Sequence, residues 1–338
     1  MIMKTHGHPA IICLTPVKNE AWILDRFLQC ASLWADYIII ADQGSTDSSR
    51  EIALRYPKVV LIDNASEDFS EVERQRILLG EARRITAPRI LISLDADEIL
   101  TANVLYSEEW SKLHQALPGT VFKFQLINIR PNLKEYWSPD TSFPWGFVDD
   151  GDEHSGSPIH SYRLPISQAT RQVCLREVKV LHYQYTDWDR MKSKHRWYQC
   201  WERVMYPEKS PVNLYRQYHH MYAVDSKDLK DVPELWYEGY ASLGIDMKNI
   251  LKEEQYWWDR EVLELFQKYG REKFAQESIW EVDWNQIAER HSMKGALETA
   301  DPRTFFEKIS HKYLSLTQPY AQTTLVAYVD KVFRRLLR

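Results

Sequence analysis

Arg89-Ile-Leu-Ile-Ser-Leu-Asp-Ala-Asp-Glu98 is the stretch on which the reading of this chain turns. Ile90, Leu91, Ile92 and Leu94 make a short, nearly continuous apolar run, the pattern of a parallel strand covered on both faces. Asp95, Asp97 and Glu98 then crowd its end. Three carboxylates so close repel one another and are costly to strip of water. A divalent cation relieves that cost, and Asp-x-Asp at a strand end offers hard oxygens to Mg²⁺ or Mn²⁺. An acidic turn capping the next helix is the plainer alternative for an Asp-x-Asp standing by itself.

Upstream, strands and helices alternate. Ala10-Ile-Ile-Cys-Leu14 reads as a buried strand leading to Thr15-Pro-Val-Lys-Asn-Glu20, with Asn19 placed to cap a helix to about Trp34. Tyr37-Ile-Ile-Ile-Ala41 is a second strand, followed by Asp42-Gln-Gly-Ser-Thr-Asp47, where Gly44 permits a tight turn. Lys58-Val-Val-Leu-Ile62 is a third. Ser70-Glu-Val-Glu73 is a capping box that opens a helix ending before Pro88. This alternation predicts an α/β fold with a mostly parallel sheet and right-handed crossovers.

Beyond Glu98 the alternation stops. Val121–Ile127 alternates like a half-buried, antiparallel strand, residues from about 130 to 170 read as long loops, and Val178–Leu181 is a last short strand. From Trp188 the pattern is helical. The reading therefore divides the chain into an α/β domain over 1–205 and a helical C-terminal region over 206–338.

The composition narrows the function classes. A net charge of −5 over 338 residues lacks the basic face of a nucleic-acid binder. Four scattered cysteines, without metal-ligand spacing, read as reduced thiols of a cytoplasmic protein. No apolar run approaches a membrane span, and the first residues lack the apolar core of a secretory signal. The 13 Trp and 19 Tyr fit either a core or a carbohydrate site, where flat rings stack on sugar C–H faces.

Three motifs together resemble family 2 glycosyltransferases of the GT-A fold: Pro16-Val-Lys-Asn-Glu20 after the first strand, Asp42-Gln-Gly-Ser-Thr-Asp47 after the second, and Leu94-Asp-Ala-Asp-Glu98 after the fourth. The resemblance is good over about 10–100 and looser to about 200, where His182, Lys194 and Tyr198 are similar to a pattern of lipopolysaccharide-core members. The Gln-x-x-Arg-Trp signature of processive polysaccharide synthases is absent, which favours single addition over polymerisation. The resemblance implies that Thr15, Pro16 and Glu20 line the nucleotide pocket, that Asp42 bonds the base, that Asp95 sits by ribose and metal, and that Asp97 coordinates Mn²⁺ or Mg²⁺. Gln43 departs from the family's second Asp and leaves the base open. The implied reaction is metal-dependent, inverting transfer of one sugar from a nucleotide-diphosphate donor to a saccharide or lipid-linked acceptor.

Side-chain chemistry extends those expectations. Arg74 suits a phosphate, or else pairs with Glu71 and Glu73 on its own helix. His182, at a strand end, can complete a Mn²⁺ shell, with His160 as its rival and Arg163 able to serve the diphosphate. Arg190, Lys194 and Tyr198 share a helical face that can clamp the diphosphate or simply meet solvent. An inverting transfer needs a base, and Val148-Asp-Asp-Gly-Asp-Glu-His154, flanked by Trp145 and Phe147, offers Glu153, then Asp150 and Asp152. At the C-terminus, Leu325, Val329, Val332 and Leu336 form a stripe with Lys331, Arg334, Arg335 and Arg338 around it; it can touch a membrane surface or dock on its own domain. Two other classes share an acidic strand end: phosphohydrolases of the haloacid dehalogenase type, with a nucleophilic first Asp, and non-catalytic nucleotide or sugar binders.

Overall fold

The computed structural model describes residues 8–66, 69–86, 88–166, 171–293, 295 and 297–336. Packing divides the chain into two units. The first runs to Thr186 and takes back Asp231–Lys252; the second comprises Asp187–Lys230 and Glu253 onward. The expected boundary at 205/206 would fall at the end of a single helix that begins at Trp188.

The first unit opens with Ala10–Val17 (β1), Ala21–Trp34 (α1), Tyr37–Asp42 (β2), Ser49–Leu54 (α2), Val59–Asp63 (β3), Glu71–Ala82 (α3) and Arg89–Ser93 (β4). These four strands are parallel and lie in the order β4-β1-β2-β3. Successive residues of β1, β2 and β4 are buried on opposite faces of the sheet. Ile11, Cys13, Ile38, Ile40, Ile90 and Ile92 join one apolar cluster with α1, while Ile12, Leu14, Ile39 and Leu91 join another with Leu78, Leu79 and Ala82 of α3. A strand covered on both faces has no polar side to show, which is why each reads as an unbroken apolar run. The expected fold class is the one observed: an α/β sheet, mostly parallel at its centre and flanked by helices, followed by helices toward the C-terminus.

The chain continues through Glu98–Leu100 (β5), Glu108–Ser111 (α4), Val121–Ile129 (β6), Glu135–Trp137 (β7), Ser142–Val148 (β8), Gln172–Cys174 (β9) and Val180–His182 (β10). Residues 130–170, expected as loops, in fact supply β8, which lies inside the sheet between β4 and β6 and is antiparallel to both. Pro144 and Gly146 hide it in the sequence. Pro144 is tolerated beside a break in the β6–β8 register at Phe122/Lys123. Gly146 is required because a Cβ there would lie 2.9 Å from Phe122 Cβ and 3.1 Å from Ile92 Cδ1. Leu235–Ala241 (α7) also belongs to this unit and buries Trp236, Tyr237 and Tyr240 in the cluster around α1.

The second unit holds Trp188–Met205 (α5), Pro211–Tyr218 (α6), Trp257–Tyr269 (α8), Trp284–Arg290 (α9), Phe305–Thr317 (α10) and Thr324–Leu336 (α11). Its core is aromatic, with Phe266 stacked on Trp280 and edge-on to Trp284. It also buries ion pairs: Arg196 forks onto Asp259 at 2.8 and 3.1 Å, and Arg203 Nε donates to Glu277 at 2.5 Å. Most of the tryptophans expected at a carbohydrate site or in a core are therefore core. Cys13, Cys30 and Cys200 are buried, whereas Cys174 is exposed on β9. No helix among the described residues is long and apolar enough to cross a membrane.

Candidate active site

The site lies beyond the carboxyl ends of β1, β2 and β4. The crossovers carry the chain from β1 outward to β2 and β3, then back to β4 on the other side, so a crevice opens at that reversal. Two loops are knitted together there. Asn19, in the left-handed region at φ 55°, does not cap α1 as expected. Its Oδ1 accepts instead from the backbone N–H of Thr46 (2.7 Å) and Asp47 (3.3 Å) across the crevice. Asp47 caps both helix starts, accepting from Ala21 N and from Ser49 N at 2.9 Å each. Gly44 takes the expected left-handed turn at φ 66°. Asp42 thereby stays rigid and buried at the end of β2. Its Oδ2 accepts from Arg50 Nη1 at 2.7 Å and Ser45 N at 3.2 Å. Asp42 Oδ1 is buried and has no hydrogen-bond partner among the described residues.

At the end of β4 the carboxylates part company. The chain turns from Asp97 straight into β5, and β10 pairs antiparallel with β5, setting His182 opposite Glu98. The ladder closes on the motif itself, with Tyr183 N donating to Asp97 O at 2.8 Å. His182 Nε2 consequently stands 3.9 Å from Asp97 Oδ2. The other ring nitrogen, Nδ1, is 2.8 Å from Asn128 Oδ1 on β6. An amide oxygen only accepts, so Nδ1 donates to Asn128, and Nε2 is the ring nitrogen that faces Asp97.

Asp95 and Glu98 face a different partner. Arg163 Nη2 donates to Asp95 Oδ2 at 2.8 Å and to Glu98 Oε1 at 3.0 Å, and Nη1 pairs with Glu98 Oε2. Its guanidinium lies over the Trp145 ring, 5.2 Å from the centroid. Arg163, rather than a cation, thus neutralises this half of the acidic cluster. Burial pushes the Glu98 carboxyl up to about 7, against the pull of Arg163. The expectation that Asp95 ligates a metal meets this ion pair, which engages one of its oxygens.

Among the described residues, no three His, Cys, Asp or Glu side chains gather as a ready-made metal cage. Asp97 and His182 nevertheless fit a cation of the expected kind. Mg²⁺ and Mn²⁺ in phosphate sites need only one or two protein ligands, with water and phosphate oxygens completing the shell. A carboxylate beside an imidazole whose tautomer is set from behind is such a donor pair.

Comparison with known proteins adds only distant likeness. No family model matches the chain, and no curated protein matches it. Among solved structures, it is similar to glucosyl-3-phosphoglycerate synthase from Mycobacterium tuberculosis, in complex with Mn²⁺, uridine diphosphate and glucosyl-3-phosphoglycerate, at 18% identity and a TM-score of 0.26. The match covers 37% of this chain and 44% of that one, so the chain spans less than half the length of that relative. A 4-diphosphocytidyl-2C-methyl-D-erythritol synthase matches at 12% identity and a TM-score of 0.27, over 45% of this chain and 73% of that one.

The other anticipated residues fall in several places. Thr15 is buried inside β1, and Pro16 pairs in register with Ala41. Glu20 Oε2 accepts from Trp22 Nε1 at 2.7 Å. Arg74, on α3, lies 3.9 Å from Glu71 Oε1, with its guanidinium over Phe69. His160 is exposed and takes a left-handed conformation at φ 56°. Lys194, Arg190 and Tyr198 belong to the second unit. Lys194 and Arg190 lie over Trp258, and Tyr198 stacks on Tyr218.

Asp150, Asp152 and Glu153 are exposed, but the structure does not bring them to the carboxylates. β8 runs antiparallel to β4 and ends with Val148 opposite Ile90, so the acidic loop starts at the amino end of β4. Its first member, Asp149, is held there by Arg83 and Arg89 at 2.9 and 2.7 Å. Trp145 and Phe147, which flank the acidic loop in the sequence, are buried, and Trp145 lies under Arg163. Arg163 as the partner of Asp95 and Glu98, and Asn128 behind His182, were not foreseen. Sequence separations of 65 and 54 residues give no local signal for either contact.

Proposed function

We propose that this chain is a metal-dependent glycosyltransferase, moving one sugar from a nucleoside-diphosphate donor to a hydroxyl acceptor, with inversion, as the resembling family does. The observation that carries the reading is the Asp97–His182 pair at the reversal point of the sheet, 3.9 Å apart and oriented from behind by Asn128. Asp97 and His182 would hold Mn²⁺ or Mg²⁺, which supplies positive charge against the diphosphate as it leaves. Asp42 supports the same reading from the next strand end but one. Its buried Oδ1 is an acceptor suited to a base N–H, and a buried acceptor without a donor costs about 1–3 kcal/mol. Thr15, Pro16 and Glu20 would border the base and ribose, and Arg74 the diphosphate. Arg163 holds Asp95 and Glu98 in place beside the proposed cation pair.

The phosphohydrolase reading fits less well. Its nucleophile would be Asp95, whose Oδ2 is tied to Arg163. The test is a thermal-shift screen of nucleoside diphosphates and nucleotide sugars with and without Mn²⁺, followed by assay of donor hydrolysis. Stabilisation by a nucleoside diphosphate that requires the metal is expected. Absence of any nucleotide effect would overturn the proposal, and binding without turnover of any donor would leave a non-catalytic binder.

A further inference from the structure

The C-terminal helices α10 and α11 carry an unexplained arrangement. Of the stripe that the sequence of α11 suggests, Leu325 and Val332 are exposed and Val329 is half-buried, while Arg338 and the Leu336 side chain lie outside the described residues. The helix buries Val326 and Asp330 and half-buries Phe333, with Asp330 accepting from Arg216 Nε and Nη2 at 2.9 Å each and from Tyr313 Oη at 2.9 Å. Tyr313 of α10 stacks on Phe333 of α11 with centroids 4.5 Å apart. Turning an acidic residue inward leaves the apolar residues outside: Leu325 is 74% exposed and Tyr328 69%, with Val332 also exposed. Helix α10 repeats the pattern, exposing Phe305 at 80%, together with Ile309 and Leu316.

The two helices are joined by a short turn around Gln318–Tyr320 and meet where Tyr313 stacks on Phe333 and donates to Asp330. At 3.6 residues per turn, each exposed stripe lies to the same rotational side of its own member of the Tyr313–Phe333 contact. Lys312, Lys331 and Arg335 are exposed, as is Lys308, which reaches Asp301 at 3.7 Å, while the acids of the two helices are engaged, Glu307 in the α10 capping box and Asp330 with Arg216. These basic helices sit in a chain of net charge −5.

We infer that α11, with α10 beside it, docks on an anionic membrane surface, the exposed apolar residues reaching the acyl boundary and the lysines and arginine meeting lipid phosphates. A second copy of the chain is the poorer occupant, because a two-fold contact would set the two basic rims against each other. The inference does not depend on the sugar-transfer reading.

Flotation of the full chain with vesicles tests it, using phosphatidylcholine alone and phosphatidylcholine with phosphatidylglycerol. Binding to the phosphatidylglycerol vesicles, weakened by salt, is expected. K331A/R335A should weaken it about 25-fold, at about fivefold per charge removed. L325D/Y328S should abolish it while leaving the thermal midpoint unchanged, since both side chains are exposed. Lack of vesicle binding, binding indifferent to lipid charge and salt, or a dimer in light scattering that L325D/Y328S dissolves would each overturn the inference.

Discussion

At the residue scale, the consequence of the site rests on Asp97, His182 and Asn128. Replacing Asp97 by alanine removes one of the two proposed cation donors, and transfer is expected to fall at least 100-fold with the thermal midpoint of the free protein retained; full activity in that variant would contradict its role. In the proposed site Asn128 would act only through His182, whose Nδ1 it holds at 2.8 Å. Asn128→Ala should therefore weaken Mn²⁺ binding in the presence of nucleoside diphosphate by about 10–100-fold, read by calorimetry, with smaller change in nucleotide affinity alone. A second residue-scale prediction concerns Glu277, where burial raises the carboxyl from 4.5 to about 7 despite Arg203. Between those values the folded state binds the extra proton, so this group's contribution favours folding at low pH and is lost as pH rises toward 7. From pH 5 to pH 8 the loss is of the order of 3 kcal/mol. Glu277→Gln should flatten that part of the profile in urea unfolding; the same slope in both proteins would show that Glu277 does not titrate there.

At the scale of elements, β8 is the strand on which the sheet's geometry depends. It seats β6 against β4 and carries the chain to the far end of the sheet before residues 154–163 bring it back to the site. Gly146 makes that packing possible, and Gly146→Ala is expected to cost roughly 1–3 kcal/mol, measured as a lowered urea midpoint. No change in the midpoint would mean that Phe122 and Ile92 give way freely. The same elements show which parts of the site were legible. β1, β2 and β4 advertise themselves because both faces are buried, and the motifs at their ends follow at fixed offsets. β8 does not, because a glycine and a proline at structurally meaningful positions carry the composition of a loop. The acidic loop after it was then expected at the carboxylates, although an antiparallel strand must deliver it to the opposite end.

At the scale of the whole molecule, a ligand that binds only the folded first unit stabilises it by mass action. With a nucleoside diphosphate and Mn²⁺ at 100 times the dissociation constant, about 2.7 kcal/mol is expected, seen as a raised unfolding midpoint. Asp97→Ala should lose the Mn²⁺-dependent share of that shift; an undiminished share would move the cation elsewhere. Charge is also distributed unevenly along the chain. The exposed cations of α10 and α11 stand against an acidic remainder, so the sequence total of −5 describes neither part.

The sequence by itself determined the α/β class, the strands that form the parallel centre and the acids at the end of β4, because local periodicity and turn chemistry suffice for those. Only the tertiary structure decided that Asp97 meets His182 while Asp95 and Glu98 meet Arg163, and that α11 turns Val326 and Asp330 inward while Leu325 and Val332 of its stripe stay exposed. Strand pairing and burial join residues tens of positions apart, and nothing in the local pattern of either partner records which distant side chain will neutralise it.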